Sequence, residues 1–171
     1  YDPLESRNGY FNIHLLGCVC DTYLRDYYGE MIDQLNEGVQ SDRFRVDWWI
    51  KTQEVERAIN DPQDQTHLSA SKKSLNDQGI FLPRKLATNQ AGFLLPPDQI
   101  EQPEDTSILV EIPPDYQAIR RTDLELAIAW RLYTRHIFEE YFNREYKVVD
   151  FVYLQPPDPR SFYRLEQTAE N

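Results

Sequence analysis

The sequence predicts an α/β (α+β) fold, and three stretches carry that prediction. Phe44, Val46, Trp48 and Ile50 alternate with Arg43, Arg45, Asp47 and Trp49, the two-residue period of a half-buried strand. Leu126, Trp130, Tyr133, Ile137 and Tyr141 recur at i, i+4, i+7, i+11 and i+15, the apolar stripe of a long helix. Residues 146–154 (YKVVDFVYL) and 161–166 (SFYRLE) flank Pro156-Pro157-Asp158-Pro159 as the arms of a hairpin.

The remaining elements fall between these. Residues 5–16 carry Phe11, Leu15 and Leu16 at helical spacing, and Gly17 stops the helix. Residues 18–28 (CVCDTYLRDYY) fit either period; β-branched and aromatic content tilts the choice towards a strand. Gly29 and Gly38 bracket one or two helical turns around Met31, Ile32 and Leu35, and residues 52–60 form a short helix with Glu54 and Glu56 in its first turns. Residues 108–112 form a strand closed by Pro113-Pro114, and Thr122 with Glu125 reads as a capping box opening the long helix. Between these units, prolines at 62, 83, 96, 97 and 103 punctuate polar sequence around the islands Ile80-Phe81-Leu82 and Phe93-Leu94-Leu95. The expected organisation is therefore a core part at 1–60, a proline-rich irregular insertion at 61–107, and a β-α-β-β unit at 108–171 packed on the same core.

With 18 basic and 29 acidic residues the chain carries a net charge of −11. Acids outnumber bases in each third, which argues against a nucleic-acid partner, because that binding depends on cations that neutralise phosphates. No apolar run approaches the roughly 20 residues that cross a bilayer, so no membrane partner is expected and a cytoplasmic protein is. Cys18 and Cys20 stand two apart, on one face of a strand and in too short a loop for a disulfide, and read as buried thiols. His14, His67 and His136 form no metal-type pairing, and each reads as structural or solvated, so no metal is expected. Ser69, Ser71 and Ser74 read as loop residues. The six glycines, at 9, 17, 29, 38, 79 and 92, are too dispersed for a phosphate cradle. Trp48-Trp49 puts one ring on each strand face, to be covered by the insertion or by a ligand or partner.

Several blocks taken in order resemble a family. YDPLESRN, GYFNIHLLGC, DYYGEMIDQLNEGVQSDRFRVDWWI, VEIPPDYQAI, DLELAIAWRLYTRHIFEEYF and YKVVDFVY are similar to predicted GNAT-superfamily acetyltransferases of a poorly characterised bacterial family. The resemblance covers residues 1–50 and 108–166 and leaves the proline-rich middle unmatched. It implies a GNAT-like fold, a mixed sheet with flanking helices, in which a splayed pair of strands admits acyl-CoA. Tyr1-Asp2-Pro3 would end the second strand and Asn8 would open the helix after it, with the pyrophosphate loop upstream of residue 1. The implied activity is acetyl transfer from acetyl-CoA to an amine, the alternative being a non-catalytic interaction or regulatory module; a homodimer is expected by analogy. Asn8 matches the family residue that contacts pantetheine or a bound water, and Arg7 and Asn12 cluster beside it, where they could line the acyl channel. The same residue types also serve helix-start hydrogen bonding and solvent contact. The family's general-acid Tyr has no match, since the corresponding stretch reads His14-Leu15-Leu16-Gly17. Tyr27 and Tyr28 are the candidate substitutes.

Overall fold

The structure, a computed structural model, describes residues 1–29, 39–60, 82–98 and 105–168. In chain order it comprises helix α1 (Ser6–Gly9), which continues as a π-helical turn (Tyr10–Leu15), strands β1 (Val19–Leu24) and β2 (Arg43–Asp47), and helix α2 (Gln53–Asn60). These are followed by β3 (Ser107–Ile112), α3 (Tyr116–Thr122), α4 (Leu124–Asn143), β4 (Tyr146–Leu154) and β5 (Arg160–Gln167). The expected turns around Met31, Ile32 and Leu35 lie outside the described residues, as do Ser69, Ser71, Ser74, His67 and Ile80-Phe81.

The α/β class holds, but the described strands form one sheet of order β2-β1-β4-β5-β3 in which every pair is antiparallel. Strands from both ends of the chain share it. The β4–β5 hairpin is fully zipped from Tyr146↔Gln167 to Leu154↔Arg160, with a bulge between Val148 and Asp150. By contrast β1 meets β4 at a single rung, Cys20↔Val148, and β1 is itself bulged against β2 between Cys20 and Thr22. A bulge bends its strand and raises local twist. With one on each side of the rung, β1 and β4 diverge, and the chain preceding β1 fills the gap as the α1–π helix, packed along β4.

Gly9 makes that approach possible. A Cβ there would stand 2.6 Å from Phe151 Cε2 and 2.7 Å from the Tyr163 hydroxyl, closer than carbon atoms tolerate. The helix also departs from regular α geometry over Tyr10–Leu15. Its Leu16 N–H reaches back five residues to the Phe11 carbonyl (3.1 Å), so the apolar stripe shifts phase: Ile13 is buried, while Phe11 is about half exposed at 53%. Gly17, at φ 67°, then turns the chain into β1.

The main core joins Phe44, Phe138, Phe151 and Tyr163, which meet edge to face, with Ile13, Cys20, Val148 and the buried face of α4. The stripe on α4 is buried as expected except for the half-buried Tyr133. Its start differs from expectation. Thr122 ends α3, where its hydroxyl donates to the Ala118 carbonyl, and the cap of α4 is Asp123, whose carboxylate accepts the Leu126 N–H at 3.0 Å. Asp123 has the extended backbone (φ −145°) that a cap requires, so it rather than Thr122 opens the helix.

Strand alternation puts Val152, Leu154 and Phe162 on the opposite face from Phe151 and Tyr163, where Leu82 and Leu109 complete a second, smaller cluster. Residues 82–98 thus touch both faces, with Leu82 on the small cluster and Phe93, Leu94 and Leu95 on the main core. Their backbone is anchored by Trp130 Nε1, which donates to the Leu94 carbonyl (2.8 Å), and by Arg160, which donates to the Pro83 carbonyl (3.1 Å). The stretch holds only an isolated bridge, Thr88↔Leu94, rather than a strand. No helix of the described residues is long and apolar enough to cross a membrane.

The Gly9→Ala substitution should lower stability by about 1–3 kcal/mol, the usual cost of overpacking a filled core. Urea unfolding measures it; an unchanged midpoint would mean that the helix does not press on Phe151 and Tyr163.

Candidate functional site

The α1–π helix is built in from four directions. Tyr1 and Phe44 exchange backbone hydrogen bonds (3.0 and 2.8 Å), one antiparallel rung on the outer edge of β2. Asp2 then turns the chain: its carboxylate accepts the Leu4 N–H (2.9 Å) and its carbonyl accepts the Glu5 N–H. The same carboxylate accepts from Arg131 Nη2 (2.5 Å), a side chain of α4 that is 3% exposed and lies over the Tyr116 ring. Burial alone would lower the pKa of Arg131, but Asp2 more than offsets it, and the guanidinium is held firmly charged. Further along, Ser6 and Ser161 hydroxyls bond at 2.7 Å, Tyr163 donates to the Pro3 carbonyl, and Trp48 Nε1 donates to the Leu16 carbonyl (2.9 Å).

On the outer side of this helix Arg7 and Asn8 are exposed and Asn12 is half-buried. Asn12 spends its amide on the Asn8 carbonyl (2.9 Å), inside its own helix, which leaves the side chains of Arg7 and Asn8 as the solvent-facing polar groups of the three. At the other end of the helix His14 Nδ1 lies 2.9 Å from Asp150 Oδ1, with Tyr10 stacked on the imidazole at 5.0 Å.

Tyr27 and Tyr28 stand elsewhere. Trp48 and Leu16 mark the start of β1 and the tyrosines lie beyond its end, roughly 17 Å away along six residues of strand. Both rings are exposed at 59% and meet edge to face, with Arg43 over Tyr28. A network centred on Asp42 secures the tip that carries them. Its buried carboxylate accepts from Arg135 Nε and Nη2 (2.9 and 2.7 Å), the Tyr23 hydroxyl (2.8 Å) and the Asp26 N–H (2.9 Å). Burial pushes the Asp42 pKa up, but Arg135, the Asp26 N–H and Tyr23 together outweigh it and hold the group below its ordinary 3.8.

Strand β2 ends at Asp47, so Trp48, Trp49 and Ile50 belong to a turn and the expected alternation of the two tryptophans across a strand does not apply. All three are exposed, at 48%, 62% and 60%. The thiols are buried as the spacing predicts, and burial pushes the Cys18 pKa up and that of Cys20 up to about 12, which disfavours the nucleophilic thiolate. Among the described residues no group of acids, histidines or cysteines is placed to hold a metal. His136 is exposed on α4.

Two features of the site were missed in the sequence reading. One is the His14–Asp150 pair, signalled only by a lone acid inside the apolar run of β4; the other is the Asp2–Arg131 pair, signalled by an arginine beside the stripe of α4. No family model matches the chain, and no curated protein or solved structure matches it.

The Asp42→Asn substitution should cost about 2–3 kcal/mol at neutral pH by leaving Arg135 short of its partner. Because the folded pKa of Asp42 lies below its unfolded value, its stabilisation is complete above that value and disappears as pH falls through the folded one. Urea midpoints taken from about pH 7 to pH 2 should therefore fall less steeply for the variant below about pH 4. Parallel curves would contradict the assignment.

Proposed function

We propose that this chain is part of a CoA-dependent N-acyltransferase of GNAT type, taking acetyl-CoA as co-substrate and an amine as acceptor. The observation that carries the proposal is the passage from Tyr1 to Asn8. A strand rung is followed at once by an Asp2 turn and a helix whose first exposed polar residues are Arg7 and Asn8. That order agrees with the resemblance, which puts a strand end at Tyr1-Asp2-Pro3 and the pantetheine-contacting residue at Asn8. In the reaction a neutral amine attacks the thioester carbonyl, a C–N bond forms and the C–S bond breaks. Asn8 would bind the pantetheine or an ordered water, and Arg7 would add positive charge beside an anionic co-substrate.

A second reading has an observation of its own. Trp48, Trp49 and Ile50 project as an apolar turn beside the helix, the kind of surface used for protein contact, and this favours a non-catalytic interaction or regulatory module.

Calorimetric titration of acetyl-CoA into this chain and into its full-length gene product separates the two. The acyltransferase reading expects saturable binding to at least the full-length protein, weakened roughly 3- to 10-fold by Asn8→Ala, the weight of one hydrogen bond. Binding to neither would remove it in favour of the interaction module.

A further inference from the structure

We infer that His14 and Asp150 form the proton-transfer pair of this site, with His14 the catalytic base and acid and Asp150 the positioning residue that aims it. The inference rests on the acyltransfer reading above and adds to it the group that moves the proton.

Two backbone irregularities, on different elements, converge on this one contact. The helix departs from α geometry over Tyr10–Leu15, the turn that carries His14. The β4 strand bulges between Val148 and Asp150, and the bulge turns the Asp150 carboxylate towards the helix. Regular geometry on either side would move one partner away from the other. Wide helical turns and bulges each cost backbone regularity and concentrate where a side chain must be aimed.

The contact also has the chemistry of a proton shuttle. An ionised Asp150 is an acceptor only; its Oδ1 already takes the Phe151 N–H at 2.8 Å, so the His14 Nδ1 at 2.9 Å supplies a hydrogen to it. The Nε2 of a neutral ring then carries the lone pair, and the carboxylate stabilises the imidazolium that forms on protonation. Tyr10, stacked at 5.0 Å and 27°, fixes the ring plane. The pair is not sealed in the core: the side chains are 20% and 30% exposed. Its competitors at the site are poorer. The cysteine thiols are buried with raised pKa values, Asn12 is used within the helix, and Tyr27 and Tyr28 lie at the far end of β1.

In the reaction, Nε2 takes one proton from the acceptor ammonium. The freed amine attacks the thioester carbon, forming C–N and breaking C–S. The imidazolium returns its proton to the departing thiolate, giving the thiol and restoring neutral His14, and the remaining surplus proton of the amide nitrogen passes to water.

The test is carbethoxylation by diethyl pyrocarbonate, followed at each histidine by mass spectrometry on the full chain. Measured at about pH 9, where imidazoles are neutral with or without a carboxylate partner, His14 should react. Asp150→Asn should slow that reaction severalfold by making Nε2 less nucleophilic, and exposed His136 should keep its rate in both proteins and so report that the variant remains folded. Acetyl-CoA, under conditions where calorimetry shows it bound, should protect His14 and not His136. Long-range proton–nitrogen NMR on the unsubstituted protein should find the hydrogen of the neutral ring on Nδ1. An unchanged His14 rate in Asp150→Asn, the opposite tautomer, or bound acetyl-CoA that leaves His14 unprotected would each overturn the inference. Absence of acetyl-CoA binding would instead remove the acyltransfer reading, and the proposed role with it, even where the Asp150→Asn arm shows the pair to be formed.

Discussion

The fold turns on the place where β1 and β4 part after one shared rung. Cys20↔Val148 is their single pairing, with a bulge in each strand beside it. An unzipped strand edge leaves backbone groups and apolar side chains to be covered, and the covering element is the helix that immediately precedes β1. Gly9 permits the contact, and the π turn sets which side chains face the core. The Asp2 turn and the Trp48 indole hold the two ends of the helix. Arg7, Asn8 and His14 are displayed as a consequence of how that gap is filled.

Buried ion pairs then fix segments that are remote in sequence. Arg131 on α4 reaches Asp2, Arg135 reaches Asp42, and Arg160 pairs with Glu111 through two hydrogen bonds of 2.8 and 2.7 Å while also holding the Pro83 carbonyl. Such pairs add little net stability over apolar substitutes, because desolvation offsets most of the attraction, yet losing one partner strands a charge in the core. Their effect here is positional. Each fixes one loop or turn against the sheet or α4, in a chain whose excess of acid would otherwise leave those segments to repel one another.

The regular elements were legible because their periods are strong. The β4–β5 hairpin, the strand at Phe44 and Val46, and the α4 stripe lie where alternation and the 3.6-residue repeat put them. Misreadings fell where a neighbouring residue competed for the same role. Asp123 took the cap expected of Thr122, and the strand through Phe44 stopped at Asp47, so Trp48 and Trp49 left the sheet. The resemblance implies a mixed sheet, whereas the described strands are antiparallel throughout, and strand direction depends on non-local pairing that periodicity does not encode. For the site, the helix carrying Arg7, Asn8 and Asn12 was visible, but its π geometry was not, because Phe11, Leu15 and Leu16 suit an ordinary α stripe. The His14 partner lies 136 residues away, beyond the reach of any local pattern.

The helix packed along β4 thus covers the core where β1 and β4 part, and it is the element on which the proposed chemistry rests. Its role is tested most directly by amide proton–nitrogen correlation spectra of the labelled protein, recorded as acetyl-CoA is added. The account predicts saturable shifts centred on Arg7, Asn8, Phe11 and His14 and extending to Asp150, with the β1–β2 tip at Tyr27 and Tyr28 unmoved. Saturable shifts confined to that tip, or none anywhere on the helix, would contradict it.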